Sequence, residues 1–482
     1  MSGQTLEIPV LEGHTSNLAL WDTPVTNTAV ENICWEDYRP LSQITPTSAI
    51  EFNVPGTGLT YYDLTRTRLQ IRLKVTNADG SNLPVSTSDV ALINLAHATL
   101  FSQVDVVLQQ KLITQTGPPH YAYKGYLDTL LNYGQDAKDS YLQSQFWHAD
   151  SAAGFDFAGA DPPEESHEED NPAPDGGGGG GGGGGRAGGP DGPAVPETEE
   201  EKEQLVVYDN SGWTIRAALT RNSREVQLEG PLHNELFTCP RYLLNGVALT
   251  VKCWQSSDAF RLMSYKPNAA YKVLITDAVL KMAAITVNPD VILAHDRALR
   301  KAPALYPYLD SEFKSYSIGK GLYNFSADNL YLGRVPSKMM IMIIPSAAYS
   351  GDYTRNPLQL MNANVSYMSV KVDNQEMPSK ALEPNFDSGN YTDAYVSMFT
   401  TLNFYGRNEG NSISLADYSR GYAIFAFDLD SQHDTSYLPA PKRGNCRLAV
   451  NFRKALDEPV TLLIYSKHPS CIRINHARGV FM

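Results

Sequence analysis

The chain has 482 residues, of which 42% are hydrophobic and 19% charged, with a formal net charge of −14. A single hydrophobic core rarely grows past about 250–300 residues, so two domains or two fused copies are expected. Tyr (27), Pro (30) and Gly (36) are abundant, a balance that favours strands, turns and long loops over helix bundles.

No uninterrupted apolar run exceeds the six residues of MMIMII at 339–344, far short of the roughly 20 residues a bilayer-spanning helix needs. The N-terminal stretch MSGQTLEIPVLEGHT has neither a basic n-region nor an apolar h-region, so it does not read as a signal peptide. Cys34, Cys239, Cys253, Cys446 and Cys471 are odd in number and scattered, without a C-x-x-C pair. Free thiols in a reducing compartment are expected, not a disulfide scaffold or a structural zinc site. The sequons at Asn324, Asn364 and Asn390 are therefore expected to be unused.

The charge is concentrated. Residues 156–203 hold fourteen acids against Arg186 and Lys202, a local net of −12, which leaves −2 for the rest of the chain. The first 40 residues hold six acids and one base, Arg39. No basic arm or stripe is available to neutralise phosphates, so direct nucleic-acid binding is not expected.

In chain order, residues 1–45 read as an extended arm for subunit contacts, with Pro9, Trp21 and Pro24 in it. Alternation then marks strands. In RLQIRLKV (68–75), Leu69, Ile71, Leu73 and Val75 share one face, and Arg68, Gln70, Arg72 and Lys74 the other. Val104, Val106 and Leu108 alternate in the next. A helix follows from Tyr121, with Tyr126, Leu127, Leu130 and Leu131 at helical spacing.

Residues 154–204 are a different material: acidic, Pro-rich, and interrupted by ten consecutive glycines. Such a segment cannot repay the entropy of ordering, and is expected to be a flexible insertion. After it come strands at EVQLEGPL (225), VALTVKCW (247) and YKVLITDAVLKMAAI (271). A connecting helix is predicted at 288–302, with Ile292, Leu293 and Leu299 buried.

The second half repeats the order. Strands are predicted at SKMMIMII (337) and VSYMSVKV (365). A helix follows, capped by Asn390 with Asp393 in its first turn and Tyr395, Met398, Phe399 and Leu402 as its apolar stripe. Strands return at YAIFAFDL (422), NCRLAVNF (445) and VTLLIYSKHPSCIRI (460). The strand starts at 225 and 247 are 22 residues apart; their counterparts at 422 and 445 are 23 apart. Two copies of one all-β unit, one carrying a large loop, is the economical account. Units of this size with long strands and an inserted helix fit two tandem eight-stranded jelly-roll barrels, a double jelly roll. The expected division is an arm over 1–45, a first jelly roll over 46–287 with its insertion at about 154–204, a connecting helix over 288–302, and a second jelly roll over 303–482.

Catalytic constellations are missing from this pattern: there is no G-x-S-x-G, H-E-x-x-H or phosphate-loop motif. His295 and Asp296 lack a further ligand at the next helical turn, Leu299. Asp428 and Asp430, with His433 nearby, read as turn chemistry. Trp35, Trp147, Trp213 and Trp254 read as core or interface anchors. No catalytic, cofactor-binding or metal-ligating residue, and no cofactor, is expected.

Several segments carry a family resemblance: IEFNVPGTGLTYYDL (50), LFSQVDVVL (100), YLDTLLNYGQDAKDSYLQSQ (126), RYLLNGVALTVK (241), GYAIFAFDL (421) and LAVNFRKALDEPVTLLIYS (448). Taken together they resemble hexon-like capsid proteins of the adomavirus, adintovirus and adenovirus-related lineage, including uncharacterised capsid-like proteins predicted in animal genomes. The resemblance runs from about Glu7 to the C-terminus and fails across the acidic, Gly-rich segment. It implies a double jelly-roll major capsid protein, a homotrimer of pseudo-hexagonal outline that tiles an icosahedral DNA-virus shell. It also implies neighbouring capsomers, penton and minor capsid proteins as partners, and a place in the virion after assembly in the host cell, in the nucleus. The alternatives are a pentameric vertex protein with a single jelly roll and, more distantly, a double jelly-roll carbohydrate-active enzyme or binding module.

Overall fold

The computed structural model describes residues 27–84, 89–113, 117–157, 210–266, 269–430 and 438–482. Most of the acidic segment, the first 26 residues with Pro9, Trp21 and Pro24, and His433 lie outside them.

Sixteen of the nineteen strands among the described residues build the four main sheets; the other three, Val90–Leu92, Leu262–Ser264 and Val480–Phe481, are short. The first eight are β1 (Val30–Tyr38), β2 (Ile50–Val54), β3 (Thr60–Asn77), β4 (Phe101–Leu108), β5 (Lys111–Leu112), β6 (Val226–Pro231), β7 (Leu249–Gln255) and β8 (Tyr271–Val287). The second eight are β9 (Ala304–Ile318), β10 (Asn324–Val335), β11 (Lys338–Pro345), β12 (Val365–Val372), β13 (Gln375–Leu382), β14 (Phe425–Asp428), β15 (Lys442–Phe452) and β16 (Val460–Ile474). The first set forms two antiparallel sheets, ordered β1-β8-β3-β6 and β2-β7-β4-β5. The second forms β9-β16-β11-β14 and β10-β15-β12-β13. Adding eight to each label of the first pair of sheets gives the second pair, so the two halves share one topology strand for strand.

The alternation read from sequence is the inside–outside alternation of these sheets. In β3, Leu69, Ile71, Leu73 and Val75 are buried in the first core. They pair across to Leu280, Ala278, Ile275 and Val273 of β8. In β7, Leu249, Val251 and Cys253 face inward while Lys252 and Trp254 face out. The run at 339–344 does not alternate, and the reason is visible: all six residues are buried, because the sheet is covered on both faces.

Four longer helices connect the strands: α1 (His120–Asn132), α2 (Ser211–Thr220), α3 (Pro289–Leu299) and α4 (Thr392–Thr401). Helices α1 and α2 lie in the connection between β5 and β6, and α4 lies in the equivalent connection between β13 and β14. Helix α3 joins the two sets of strands, with the Asn288 side chain accepting from the Asp290 N–H at 2.9 Å.

Three expectations change. Residues 30–38, assigned to an extended arm, are an edge strand paired with β8 from Val30 to Tyr38. On α3, Leu299 is buried and Ile292 partly so, but Leu293 is 55% exposed, because the helix rests on the first barrel along a narrow stripe. Asn390 does not cap α4. Its backbone exchanges two hydrogen bonds with Asn385 (2.8 and 2.9 Å), which closes a tight loop, and the helix starts at Thr392 without a side-chain cap.

Candidate assembly surface and the junction of the two barrels

Of the residues singled out for chemistry, His295 and Asp296 lie on α3 and Asp428 and Asp430 at the end of β14, while His433 lies outside the described residues. His295 Nδ1 lies 2.9 Å from the Tyr61 hydroxyl, while Asp296 pairs with Arg300 (3.0 Å) and His476 (3.0 Å), an exposed tie between α3 and the C-terminal segment. Asp428 accepts from the Asp430 N–H at 3.0 Å, a turn at the end of β14. Among the described residues no group of three His, Cys, Asp or Glu could hold a metal, and all five cysteines are free. No helix among them is long and apolar enough to cross a membrane. Trp147 and Trp213 are buried anchors. Trp35 and Trp254 are exposed, with the Arg68 guanidinium 4.7 Å above the Trp35 ring.

What the fold builds instead is a junction. Helix α1 is buried on nearly every side, with Asp128 and Asn132 outside its apolar surface. Tyr121 belongs to the first core. Tyr123, Tyr126, Leu127 and Leu130 belong to the second, together with the 339–344 run. The wedge is seated on the outward face of the β9-β16-β11-β14 sheet. There His120 stacks on Phe313 (5.3 Å), Phe313 on Tyr465 (4.6 Å), and Tyr123 on Tyr349 (5.8 Å). In the reverse direction, Tyr306, Tyr308, Ile472 and Ile474 from the second barrel complete the first core.

Two buried ionic clusters pin this contact. In the first, Lys124 on α1 pairs with Asp128 (2.8 Å) and Glu235 (3.0 Å), Asp128 accepts from the Tyr465 hydroxyl (3.1 Å), and Glu235 accepts from Ser311. Burial alone would raise the Asp128 carboxyl, but Lys124 and Lys467 hold it down at about 2. Burial and the neighbouring Glu235 push Asp310 up to about 6.

In the second cluster, Arg216 on α2 meets Asp150 at 2.6 Å, both essentially inaccessible to solvent. Arg216 also donates to the Leu92 carbonyl (2.8 Å) and the His148 carbonyl. Asn210 caps α2 by accepting from the Trp213 N–H (3.1 Å) and donates to Asp150 (2.8 Å). The Tyr422 hydroxyl of the second barrel donates to the Asp150 carbonyl at 2.7 Å. Phe157 and Trp213 meet edge to face at 5.2 Å, so the chain on the two sides of residues 158–209 is tied together.

Sequence reasoning missed Asp150, Arg216 and all of α2. The available signal was Asn210 as a cap and a single arginine inside an otherwise uncharged SGWTIRAALT stretch.

Buried histidines give the fold a pH dependence. Burial pushes His97 and His233 down to about 4; each retains a ring nitrogen without a hydrogen-bond partner among the described residues. In the unfolded chain they titrate near 6.5. Between pH 6.5 and 4 the unfolded state therefore binds protons that the native state refuses, and stability falls as pH falls. Asp310 acts oppositely, since its native carboxyl takes up a proton near pH 6 before the unfolded one does. His120 and His468 are likewise pushed down to about 4, and burial raises Asp156 as it does Asp310, so four imidazoles stand against two carboxyls and the urea midpoint at pH 4.5 is expected below that at pH 7.5. An equal or higher midpoint at pH 4.5 would contradict this placement of the histidines.

No known family's sequence profile matches the chain. It is 21% identical over 443 residues to an uncharacterized protein of Caenorhabditis elegans, F54H12.2, covering 89% of this chain and 92% of that one. Among solved structures, a chain of the Sputnik virophage particle superposes with a TM-score of 0.60 at 10% identity, covering 100% of this chain and 94% of its own. VP54 of PBCV-1, fitted into a reconstruction of the same virophage, gives 0.55 at 9% identity over 96% and 99%. A chain of the PBCV-1 virus capsid gives 0.53 at 8% identity over 96% and 99%. The fold is a double jelly roll. At these identities the superpositions establish architecture, and they do so over both barrels, in agreement with the duplicated strand order.

A cleft beside the junction is lined by Lys124, Asp128, His233, Glu235, Tyr465 and Lys467, the groups of the first ionic cluster and their neighbours. Exposed apolar side chains stand at sheet margins, among them Ile33 and Trp35 on β1, Leu332 on β10, and Tyr405 beyond α4. Isolated exposed apolar residues are ordinary. Strand β1 differs because it is an edge with residues on both faces exposed, which invites coverage by another chain.

Proposed function

We propose that the chain is a structural capsid protein, hexon-like in role. Its trimers, of pseudo-hexagonal outline, would tile an icosahedral shell. The single observation that carries this reading is the duplicated topology with a fused junction. Two barrels of identical strand order, locked side by side by α1 and the two buried ionic clusters, give each subunit two corners of a hexagon. Three subunits then supply six. The whole-length likeness to a virophage particle chain and to a PBCV-1 capsid chain supports the same reading.

The chain belongs with the adomavirus, adintovirus and adenovirus-related group and acts without catalysis. It meets itself first, then neighbouring capsomers, penton and minor capsid proteins, and ends in the virion after assembly in the host cell, in the nucleus. Five unpaired cysteines suit assembly in a reducing compartment. The acidic, Gly-rich stretch is an insertion into the first barrel, since in sequence it falls between β5 and β6 of one barrel, and the described chain to either side of it is held at one place. The first barrel with this insertion, the connecting helix and the second barrel then span about 46–287, 288–302 and 303–482, behind an N-terminal arm that contributes β1.

The native mass of the purified full chain tests the proposal. Three copies of 53.1 kDa, about 159 kDa, are expected. A mass of five copies would move the protein to a vertex role, and a concentration-independent monomer would reopen the binding-module reading. Deleting residues 162–201 should leave that mass reduced by the deleted residues alone, because Asp150, Phe157, Asn210 and Trp213 still hold the two sides of the segment. Loss of soluble oligomer on deletion would show that the segment is structural.

A further inference from the structure

Resting on the capsomer reading above, we propose that the outward face of the β1-β8-β3-β6 sheet is the docking surface for a second copy of this chain. The copy would seat there with the connection between its β13 and β14, residues 383–424.

The connection between β5 and β6 carries α1, and α1 occupies the outward face of β9-β16-β11-β14. His120 lies on Phe313, Tyr465 donates to Asp128, and Met340 and Met342 pair with Tyr465 and Leu463 beneath. The two barrels have the same strand order. The second barrel therefore carries the equivalent connection, with α4, and the first barrel carries the equivalent sheet face. Within one chain no hydrogen bond, ion pair or ring contact joins residues 383–409 to that face among the described residues. Repeating the barrel-to-barrel step from the second barrel of one copy to the first barrel of the next brings them together. It also makes a heterologous contact that closes when six barrels complete the ring.

Charge and composition agree. Where β11 carries Met340, Met342 and Ile344 on the face it shares with Tyr465, β3 carries Arg68, Arg72 and Lys74 on the equivalent face. Arg68 and Lys281 share Glu229 (3.5 and 2.8 Å), and Arg39 takes Asp277 (3.2 Å). Arg72 and Lys74 form no ion pair among the described residues: Asp277, across from Arg72 on β8, is taken by Arg39, and Lys74 donates to Asn82 (3.0 Å). Trp35, 47% exposed, stands at the margin of this face under Arg68. The opposing segment holds Glu383, Asp387, Asp393, Glu409 and Asp417 against Arg407 and Arg420, a net of −3, with Tyr405 70% exposed; Asp387 and Asp393 pair within the chain only through exposed contacts to Lys454 (3.3 Å) and Lys380 (3.4 Å). A dry face suits a contact made once during folding. A polar face rimmed by an aromatic suits one that is solvated in the free subunit and covered on assembly.

The test uses the full chain and its native mass over a concentration series. Charge reversal on either side, in R72E/K74E or in D387K/D393K, is expected to raise the concentration at which trimers form by about ten-fold or more. Trp35→Ser, which changes no charge, should weaken the trimer as well. All these side chains are at least partly exposed, so circular dichroism and the unfolding midpoint should match the wild type. Carrying both reversals in one chain should restore the trimer. A wild-type oligomerisation curve for R72E/K74E, or no recovery in the combined variant, would overturn the assignment of this face. A wild-type chain that never trimerises would instead overturn the capsomer reading on which it rests.

Discussion

Asp150→Ala is expected to cost about 3–5 kcal/mol, among the largest effects of any single substitution outside the cores. The carboxylate is the counter-charge of Arg216, 2.6 Å away and fully buried, and it also accepts from Asn210. Removing it leaves a guanidinium in a low-dielectric interior with only the Leu92 and His148 carbonyls to solvate it. Asp150→Asn, which keeps the shape and an acceptor but not the charge, should fall between the wild type and alanine. Lys380→Ala provides the contrast. Its pair with Asp393 spans 3.4 Å between two largely exposed groups, and exposed pairs contribute about 0–1 kcal/mol. Urea unfolding followed by tryptophan emission reports on the cluster directly, because Trp213 lies three residues from Arg216 on α2. An Asp150→Ala midpoint equal to that of Lys380→Ala would show that the cluster does not hold the junction.

Tyr123→Ala should also be severe, costing about 3–5 kcal/mol by loss of buried area and by the cavity left behind. The ring is buried in the wedge between the barrels, stacked on Tyr349 and edge-on to Phe260 at 5.8 Å. Its hydroxyl has no hydrogen-bond partner among the described residues, so Tyr123→Phe should change stability by less than about 1 kcal/mol. A thermal-unfolding series of wild type, Y123F and Y123A would check both statements. If Y123F were as damaging as Y123A, the hydroxyl and not the ring would be what the junction needs. Because α1 joins the two cores, Y123A should also separate their unfolding into two steps.

The sequence discloses the strands whose one face is buried. Strands β3, β4, β7, β8, β15 and β16 each alternate or run apolar for long enough to be recognised, and their spacing discloses the duplication. Strands β1, β9, β10 and β13 escape the same reading because their side chains are exposed or half-exposed along most of their length. Hydrophobic periodicity is a signal of burial, and edge strands of an unassembled subunit have little of it. Strand β5 is two residues long and carries no pattern at all. The junction is illegible for a different reason. Arg216 and Asp150 stand 66 residues apart, with the acidic segment between them. Lys124 finds Glu235 only once α1 is placed against the loop after β6. Helix α1 itself is recognisable by its spacing, but nothing in that spacing says that its second face belongs to the other barrel.

The most direct test of the account is electron microscopy of the oligomer isolated from the full chain, read as two-dimensional class averages along its symmetry axis. The account predicts a three-fold particle of six barrels with a hexagonal outline, each subunit contributing two adjacent corners. A five-fold particle, or single two-barrel subunits at every concentration tried, would contradict it.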